Sequence, residues 1–189
     1  MARQQSGFIE SIKENIVKAI RGAGDVASAV VDAVSRTVVT AFEGLGDVTS
    51  SLMSTISDVV EGTIQGVVEV GSDLGAGAKG ILLGVLRGTQ KAGAATLETI
   101  SQTAGSVIKS TASVAGDLGR AAKGLVEGAI EGAKELGLDV MEAASAAATG
   151  ALNAASEIGS EAGEKVRNAL TGTIAGIKVV LKEPLKKGR

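Results

Sequence analysis

Residues 124–137 read Gly-Leu-Val-Glu-Gly-Ala-Ile-Glu-Gly-Ala-Lys-Glu-Leu-Gly, and the pattern in this stretch decides the fold. Leu125 and Leu136 stand 11 residues apart, and the apolar Ile130 is followed directly by Glu131. The same pattern continues in both directions along the chain at steps of 11. An 11-residue period equals three turns of about 3.67 residues, so residues at this spacing return to the same side of an α-helix.

Two adjacent series show how regular the repeat is. The series that starts at Glu10 contains no large apolar residue over the whole chain, whereas the series that starts one residue earlier contains only apolar residues and Gly. That apolar series is Ile9, Ile20, Val31, Phe42, Met53, Ile64, Gly75, Leu86, Leu97, Ile108, Gly119, Ile130, Met141, Leu152, Gly163, Ile174 and Leu185. With four neighbouring series it forms an apolar arc roughly 130° wide, which predicts amphipathic helices rather than strands.

We therefore expect an all-α protein of long amphipathic helices in one continuous 11-residue repeat, without a compact α/β domain. No proline before Pro184 interrupts the repeat. An interior glycine costs a helix about 1 kcal/mol relative to alanine, so glycine pairs mark the expected bends: Gly22/Gly24, Gly44/Gly46 and Gly75/Gly77. The predicted divisions are a lead-in at 1–11, the repeat region at 12–183 and a basic tail at 184–189.

The apolar arc is the candidate functional surface, because an arc of this width can lie on lipid or pack in a multi-helix bundle. The residues predicted to form this lipid-binding or helix-packing face are Ile9, Ile12, Ile16, Ile20, Val31, Val34, Phe42, Leu45, Met53, Ile56, Ile64, Val67, Leu86, Leu97, Ile108, Ile130, Met141, Leu152 and Ile174.

Glycines at a spacing of four form a second candidate surface, because they stack on one side of a helix and let another backbone approach. The residues predicted to make close helix contacts are Gly80, Gly84, Gly88, Gly124, Gly128 and Gly132. A glycine zipper of this kind predicts self-association. The alternative is that these glycines only keep a helix weak, and the sequence leaves both open.

The composition argues against catalysis. The chain has no His and no Cys, which are the usual general base, nucleophile and soft-metal ligands. Residues 75–80 match G-x-G-x-x-G, but these glycines fall into the surrounding repeat, and a dinucleotide site needs alternating strands and helices. We expect no enzyme activity, catalytic residue, cofactor or metal. A net charge of −2 and the absence of Trp and Tyr also argue against nucleic-acid binding.

The chain has no apolar stretch long enough to span a bilayer and no pattern of a secretory signal. The lack of Cys fits a reducing compartment, so we expect a cytoplasmic protein associated peripherally with a membrane or lipid. The segment from Phe8 to Ile20, flanked by Lys13, Lys18 and Arg21, is strongly amphipathic. It is either a membrane-anchoring helix or the first helix of a bundle.

The repeat resembles those of synucleins, perilipins, exchangeable apolipoproteins and some late embryogenesis abundant proteins, with residues 124–137 carrying the resemblance in period and composition. The Lys-Thr-Lys-Glu-Gly-Val core of synuclein repeats is absent, so no residue-level role is carried over. The resemblance implies reversible binding to lipid surfaces, with ordering of the chain on contact.

Three functions follow as hypotheses. The first is a peripheral membrane or lipid-droplet coat protein, in which basic residues at the edge of the arc face headgroups: Lys13, Lys79, Lys123, Lys134, Arg167 and Lys178. The second is a self-assembling, homo-oligomeric scaffold in the form of a bundle, coiled coil, tube or filament, which can organise a protein complex at a membrane. The third is a stress-protective disordered protein, against which the positive mean hydropathy counts.

Overall fold

A computed structural model describes residues 2–44, 49–91 and 93–182 of the chain. Within these residues the chain forms eight helices and one two-stranded hairpin: α1 (Ala2–Gly22), α2 (Val26–Gly44), α3 (Thr49–Glu69), α4 (Leu74–Lys91), α5 (Leu97–Ser113), α6 (Leu118–Leu136), α7 (Val140–Ile158), α8 (Ser160–Leu170), β1 (Thr173–Ile174) and β2 (Ile177–Lys178). The helical class is confirmed. The prediction of continuous long helices is wrong, since the longest described helix has 21 residues and the helices pack against one another.

Short turns separate the helices at a regular interval. Residues with positive φ stand at Gly71, Gly93, Ala115 and Gly137, whose numbers differ by 22 each time, which is two 11-residue units. Glycine adopts this conformation without steric cost. Helix α1 ends at Gly22 and α2 at Gly44, whereas Gly75 and Gly77, where we expected a bend, lie inside α4. The chain turns before them, at Gly71.

Capping side chains fix the starts of the helices and explain why the repeat does not form one rod. The Asp25 carboxylate accepts the N–H of Ser28 at 2.8 Å, and the same contact at a spacing of three recurs from Asp73 to Ala76, from Asp117 to Arg120 and from Asp139 to Glu142. Each such cap stabilises a helix start by about 1 kcal/mol. Hydrogen bonds from Ser28 hold the pKa of Asp25 below its usual value.

The helices lie in two rows, because α1 to α7 each pack chiefly against a helix two positions along the chain, whereas α8 packs more against α7 than against α6. The odd row contains α1, α3, α5 and α7, and the even row contains α2, α4, α6 and α8. Neighbours within a row run parallel: Gly80 lies against Val30, Gly84 against Val34 and Gly88 against Val38. This is the arrangement of stacked helical hairpins.

The apolar arcs of the helices form one core. Its largest fully buried side chains come from all eight described helices: Ile16, Val30, Ile56, Ile64, Ile81, Leu82, Leu86, Ile100, Ile108, Leu125, Leu152 and Leu170. Alanine fills much of the rest, particularly in α7, where Ala143, Ala144, Ala147 and Ala148 are all buried. Small side chains let helix axes approach closely, so this core is tight but offers little apolar area per residue.

The C-terminal part of the described chain differs from the prediction, which extended the helical repeat to 183. Helix α8 ends at Leu170, and Ile174 of β1 pairs with Ile177 of β2. The reason is local. Gly172 and Gly176 have φ of 112° and 81°, and the β-branched residues between and after them favour extended backbone. The hairpin contacts α6 and α7 and covers that end of the core.

The predicted divisions correspond only loosely to these elements. Helix α1 runs through the expected boundary at 11/12, and the hairpin lies inside the expected repeat region. The tail predicted at 184–189 lies outside the described residues.

Candidate functional site: the apolar arc and its glycine contacts

Most of the predicted arc is buried inside the molecule. Buried side chains, each exposed by no more than 8%, are Ile12, Ile16, Ile20, Val31, Val34, Ile56, Ile64, Val67, Leu86, Ile108, Ile130, Leu152 and Ile174. In this fold the arc therefore contacts other helices of the same chain, and these side chains are not available to an outside partner unless the helices separate.

The remaining members of the arc lie nearer the surface. Ile9, Phe42 and Met53 are half-buried. Leu97 and Met141 are 36% and 56% exposed, because they stand in the first turns of α5 and α7, beyond most of the packing that covers the later turns. Leu45 lies outside the described residues.

The glycine stripe of α4 contacts α2. A methyl group at Gly80 would lie 2.7 Å from the carbonyl oxygen of Ala27, and one at Gly84 would lie 2.9 Å from that of Val31. One at Gly88 would lie 2.7 Å from Cγ1 of Val38. Carbon atoms prefer separations of about 3.5–4.0 Å, so only glycine fits at these points.

The glycine stripe of α6 contacts α4 in the same way. A methyl group at Gly124 would overlap the carbonyl oxygen of Gly75, and one at Gly128 would lie 2.7 Å from the carbonyl oxygen of Lys79. One at Gly132 would lie 2.5 Å from Cδ1 of Leu86. The even row is thus closed by glycine contacts from α2 through α4 to α6, within one chain.

Other glycines make equivalent contacts in the odd row. Gly62 and Gly66 of α3 lie against Ile12 and Ile16 of α1, and Gly150 of α7 lies against the backbone of Ser101 in α5. The spacing of four between Gly62 and Gly66 is visible in the sequence. The partner helix is not, because any apolar helix could occupy such a stripe.

Ion pairs bridge the same helix pairs at the surface. In the even row, Nζ of Lys79 lies 2.6 Å from Glu131, and the Arg87 guanidinium donates two hydrogen bonds to Glu135 at 2.7 and 2.8 Å. These bonds lower the pKa of Glu135. Surface pairs stabilise weakly, so they set the register of α4 against α6 more than the strength of the contact.

The basic residues predicted to face lipid headgroups divide into two groups. Lys13 and Lys79 are engaged in ion pairs, Lys13 with Glu10 at 2.6 Å and with Glu69 of α3 at 3.4 Å. The first of these contacts is the main cause that raises the pKa of Lys13. Lys123, Lys134, Arg167 and Lys178 are exposed.

The contact between α3 and α5 is different from the others. These two helices pack less extensively than any other pair of long helices within a row. Their glycines face away from each other, since Gly62 and Gly66 contact α1 and Gly105 contacts α7. Among the described residues no ion pair bridges the two helices, and a side-chain hydrogen bond joins Ser57 to Ser106 at 3.2 Å.

A groove of about 380 Å³ opens beside this contact. It is lined by Leu52, Met53, Ala94, Thr96, Glu98, Thr99 and Gln102. We call the boundary lined by Met53, Ser57, Thr99, Thr103 and Ser106 the α3/α5 seam. The spacing of Thr99, Thr103 and Ser106 places all three on one side of α5, and Oγ1 of the buried Thr103 has no hydrogen-bond partner.

The described residues contain no cluster of metal ligands. No group of three or more Asp or Glu residues in the described ranges could hold a metal ion. Residues 75–80, which match G-x-G-x-x-G, lie in the first turns of α4 and follow a helix rather than a strand. A groove of about 850 Å³ lies between the ends of α5 and α7 and the starts of α6 and α8, and its Lys165 is paired with Glu161.

In the part of the chain that is described, every helix is too short or too polar to cross a membrane. None of the protein-family models compared with the chain matches it, and no curated protein matches its sequence.

Proposed function

We propose that this chain is a non-enzymatic helical scaffold whose apolar arc is consumed in packing its own helices. The observation that supports this most is the match between glycine stripes and their partners, as in Gly80, Gly84 and Gly88 of α4 against α2. A surface that only lies on lipid gains nothing from such a match, because acyl chains conform to any apolar side chain. Residues that fit only one neighbour in one register favour a defined folded stack.

The two ends of the stack also favour a finite scaffold. Helix α1, at one end of the odd row, presents Glu14, Lys18 and Arg21 to solvent, and the β1–β2 hairpin covers α7 at the other end. Polar or covered ends stop a helical stack from extending into a fibre. The outer faces remain free to bind a protein complex. Assembly into homo-oligomers stays a prediction, and it would have to use those faces, because the glycine stripes are occupied within the chain.

Circular dichroism and sedimentation of the purified chain test this proposal. We expect high helicity in buffer at all protein concentrations, unchanged by anionic or zwitterionic vesicles. Val34→Asp should abolish it, because the carboxylate would be buried where α2 meets α4, whereas Thr40→Asp, on the exposed side of α2, should retain it. Low helicity that rises sharply with vesicles would refute the scaffold and favour a lipid-ordered chain.

A second candidate function is peripheral binding to a lipid surface, and α1 is the observation that favours it. This helix lies at the edge of its row, with α2 and α3 as its neighbours. Phe8 is 37% exposed, and Lys18 and Arg21 are exposed nearby in the same helix, which suits an interfacial helix that binds anionic lipid.

Vesicle flotation tests the lipid function separately. Phe8→Ser should reduce flotation with anionic vesicles several-fold, because it removes the aromatic anchor. The matched control is Val180→Ser, which removes a similarly exposed apolar residue near the other end of the described chain. Equal flotation of the two variants and the parent chain would count against α1 as the lipid-binding element.

A further inference from the structure

The outer sides of the two rows carry opposite charge. Helices α3 and α5 have row neighbours on both sides, and α7 lies between α5 and the hairpin, so their charges reach water on the outer side of the odd row. Together these three helices contain six carboxylates and one cation, Lys109. We call this surface the acidic face, and its carboxylates are Asp58, Glu61, Glu69, Glu98, Glu142 and Glu157.

The even row has the opposite balance. Helices α4 and α6, which lie between α2 and α8, contain six cations and three carboxylates. We call their outer side the basic strip, and its cations are Lys79, Arg87, Lys91, Arg120, Lys123 and Lys134. The flanking helices are nearly balanced, with one cation and two carboxylates in α2 and two of each in α8. Helix α1, with four cations and two carboxylates, lies at the end of the odd row beside the acidic face.

Interactions inside the molecule leave the acidic face negative. Its cation, Lys109, is paired with Glu157 at 2.8 Å. Glu61 and Glu98 accept hydrogen bonds from glutamine amide groups in the next turn of their own helices, at 3.2 and 2.9 Å. An amide is neutral, so both exposed carboxylates keep their charge. The acidic face can therefore attract a cationic surface.

The basic strip likewise keeps cations that nothing neutralises. Ion pairs from α4 use two of the three carboxylates of the strip, Glu131 and Glu135. Lys91, Lys123 and Lys134 are exposed, and no ion pair joins them to a residue of the described ranges. The strip thus offers the charge that the acidic face lacks, on the opposite side of the same molecule.

The acidic face is also large enough for a stable contact. Its helices have 17 to 21 residues, which makes them about 25–30 Å long, and three helices about 9 Å apart span about 28 Å. The face therefore measures on the order of 800 Å², which is about the area that each partner contributes to a standard interface. Short side chains such as Ser57 and Ser106 lie at its surface, and they lose little conformational entropy when they are covered.

We propose that copies of this chain stack face to face, with the acidic face of one copy on the basic strip of the next. This proposal rests on the scaffold function proposed above and names its partner, a second copy. Contacts between two acidic faces or two basic strips are disfavoured by repulsion, so the contact is heterologous. Each added copy leaves one surface of each kind free, and the assembly grows across the rows into a stack or closes into a ring.

Sedimentation velocity at several protein concentrations tests the stacking. At about 10 mM salt, where the Debye length is about 30 Å, we expect the sedimentation coefficient to rise with protein concentration to values beyond those of a dimer. At about 1 M salt, where the Debye length is about 3 Å, it should return to the value of a single copy. Assembly that ignores salt, or that stops at two copies, would overturn the proposal.

Circular dichroism in the same buffers separates this proposal from the scaffold function. A helical chain that sediments as a single copy at every salt concentration would overturn the stacking and leave the folded scaffold standing. A chain with low helicity in buffer would remove the scaffold function and the stacking with it.

Charge reversal tests which surfaces meet. One triple variant makes both surfaces basic, by Glu61→Lys, Glu98→Lys and Glu142→Lys. A second makes both surfaces acidic, by Lys91→Glu, Lys123→Glu and Lys134→Glu. Circular dichroism checks that each variant stays folded. We expect each variant alone to remain a single copy at protein concentrations at least about tenfold above those at which the parent chain assembles.

An equal mixture of the two triple variants should assemble again at about 10 mM salt, because each supplies the charge that the other lacks. The matched control is Lys18→Glu with Lys178→Glu and Lys182→Glu, three exposed residues at the ends of the rows. This control has the same net charge as the second variant and should assemble like the parent. Assembly of either triple variant alone, a mixture that stays apart, or a control that fails to assemble would overturn the assignment of these surfaces.

Discussion

Gly124→Ala should destabilise the protein although alanine is the better helix former. The added methyl would lie 2.8 Å from the carbonyl carbon and 3.0 Å from Cα of Gly75, and it would overlap the carbonyl oxygen. Carbon atoms prefer about 3.5–4.0 Å, so α6 must move away from α4 by at least about 0.7 Å, and further to clear the oxygen. Because backbone atoms are struck, we take the upper end of the overpacking range, about 3 kcal/mol. Subtracting the helix gain of about 1 kcal/mol leaves a net loss of about 2 kcal/mol.

Gly105→Ala is the matched control. It makes the same change between two parallel helices, but its methyl would lie 3.7 Å from the nearest atoms of α7, so only the helix gain of about 1 kcal/mol remains. In thermal unfolding followed by circular dichroism, Gly124→Ala should lower Tm by about 4–8 °C and Gly105→Ala should raise it by about 2–4 °C. If both variants raise Tm alike, α4 and α6 do not meet at Gly124, and the glycine argument for the even row fails.

Three further predictions concern stability. Glu135→Gln should lower Tm slightly at pH 7 and progressively less as the pH falls below about 4. The pKa of Glu135 is lowered by Arg87, so the stability that the carboxylate contributes is present above the unfolded pKa of about 4.3 and is lost as pH falls through the folded pKa. In urea unfolding, Thr103→Val should stabilise the protein by up to about 1 kcal/mol, because the Thr103 hydroxyl has no hydrogen-bond partner. Thr63→Val should destabilise it by about 1 kcal/mol, because the Thr63 hydroxyl donates to the Val59 carbonyl at 2.6 Å. A change of the same sign in both variants would contradict this reasoning. Asp139→Ala should lower the free energy of unfolding by about 1 kcal/mol, because α7 loses its N-terminal cap. Asp139→Asn should keep most of this stability, since the Asn side chain can also accept the hydrogen bond. An alanine variant as stable as the parent would show that the cap is dispensable.

The helical class and the inward side of each helix could be predicted from the 11-residue period. A step of 11 keeps one side chain direction for the whole chain, so Ile20, Ile64, Ile108 and Leu152 belong to one series and all are buried. The repeat does not predict where along a helix the packing of a neighbouring helix ends. Leu97 and Met141 belong to the same series, yet they are exposed, because exposure at a helix end depends on tertiary packing.

The helix boundaries were harder to predict, because glycine has two roles in this chain. At Gly71, Gly93 and Gly137 it adopts positive φ in a turn, whereas at Gly75 and Gly77 it lies within a helix that another backbone or side chain approaches closely. Both roles are compatible with the same 11-residue phase. The aspartates two residues after Gly71 and Gly137 were the missing signal, since Asp73 and Asp139 cap the helices that follow.

The same ambiguity explains why the function could not be reduced to one hypothesis. A wide arc of Val, Ile, Leu and Ala gains free energy wherever it leaves water, whether on lipid or on a neighbouring helix. Packing on a neighbouring helix differs from binding to lipid in requiring complementary contacts. Gly84 of α4 fits against Val34 of α2, and Arg87 of α4 pairs with Glu135 of α6. The seam lacks both kinds of contact. Among the long helices of each row, α3 and α5 are therefore the pair that complementary contacts join least.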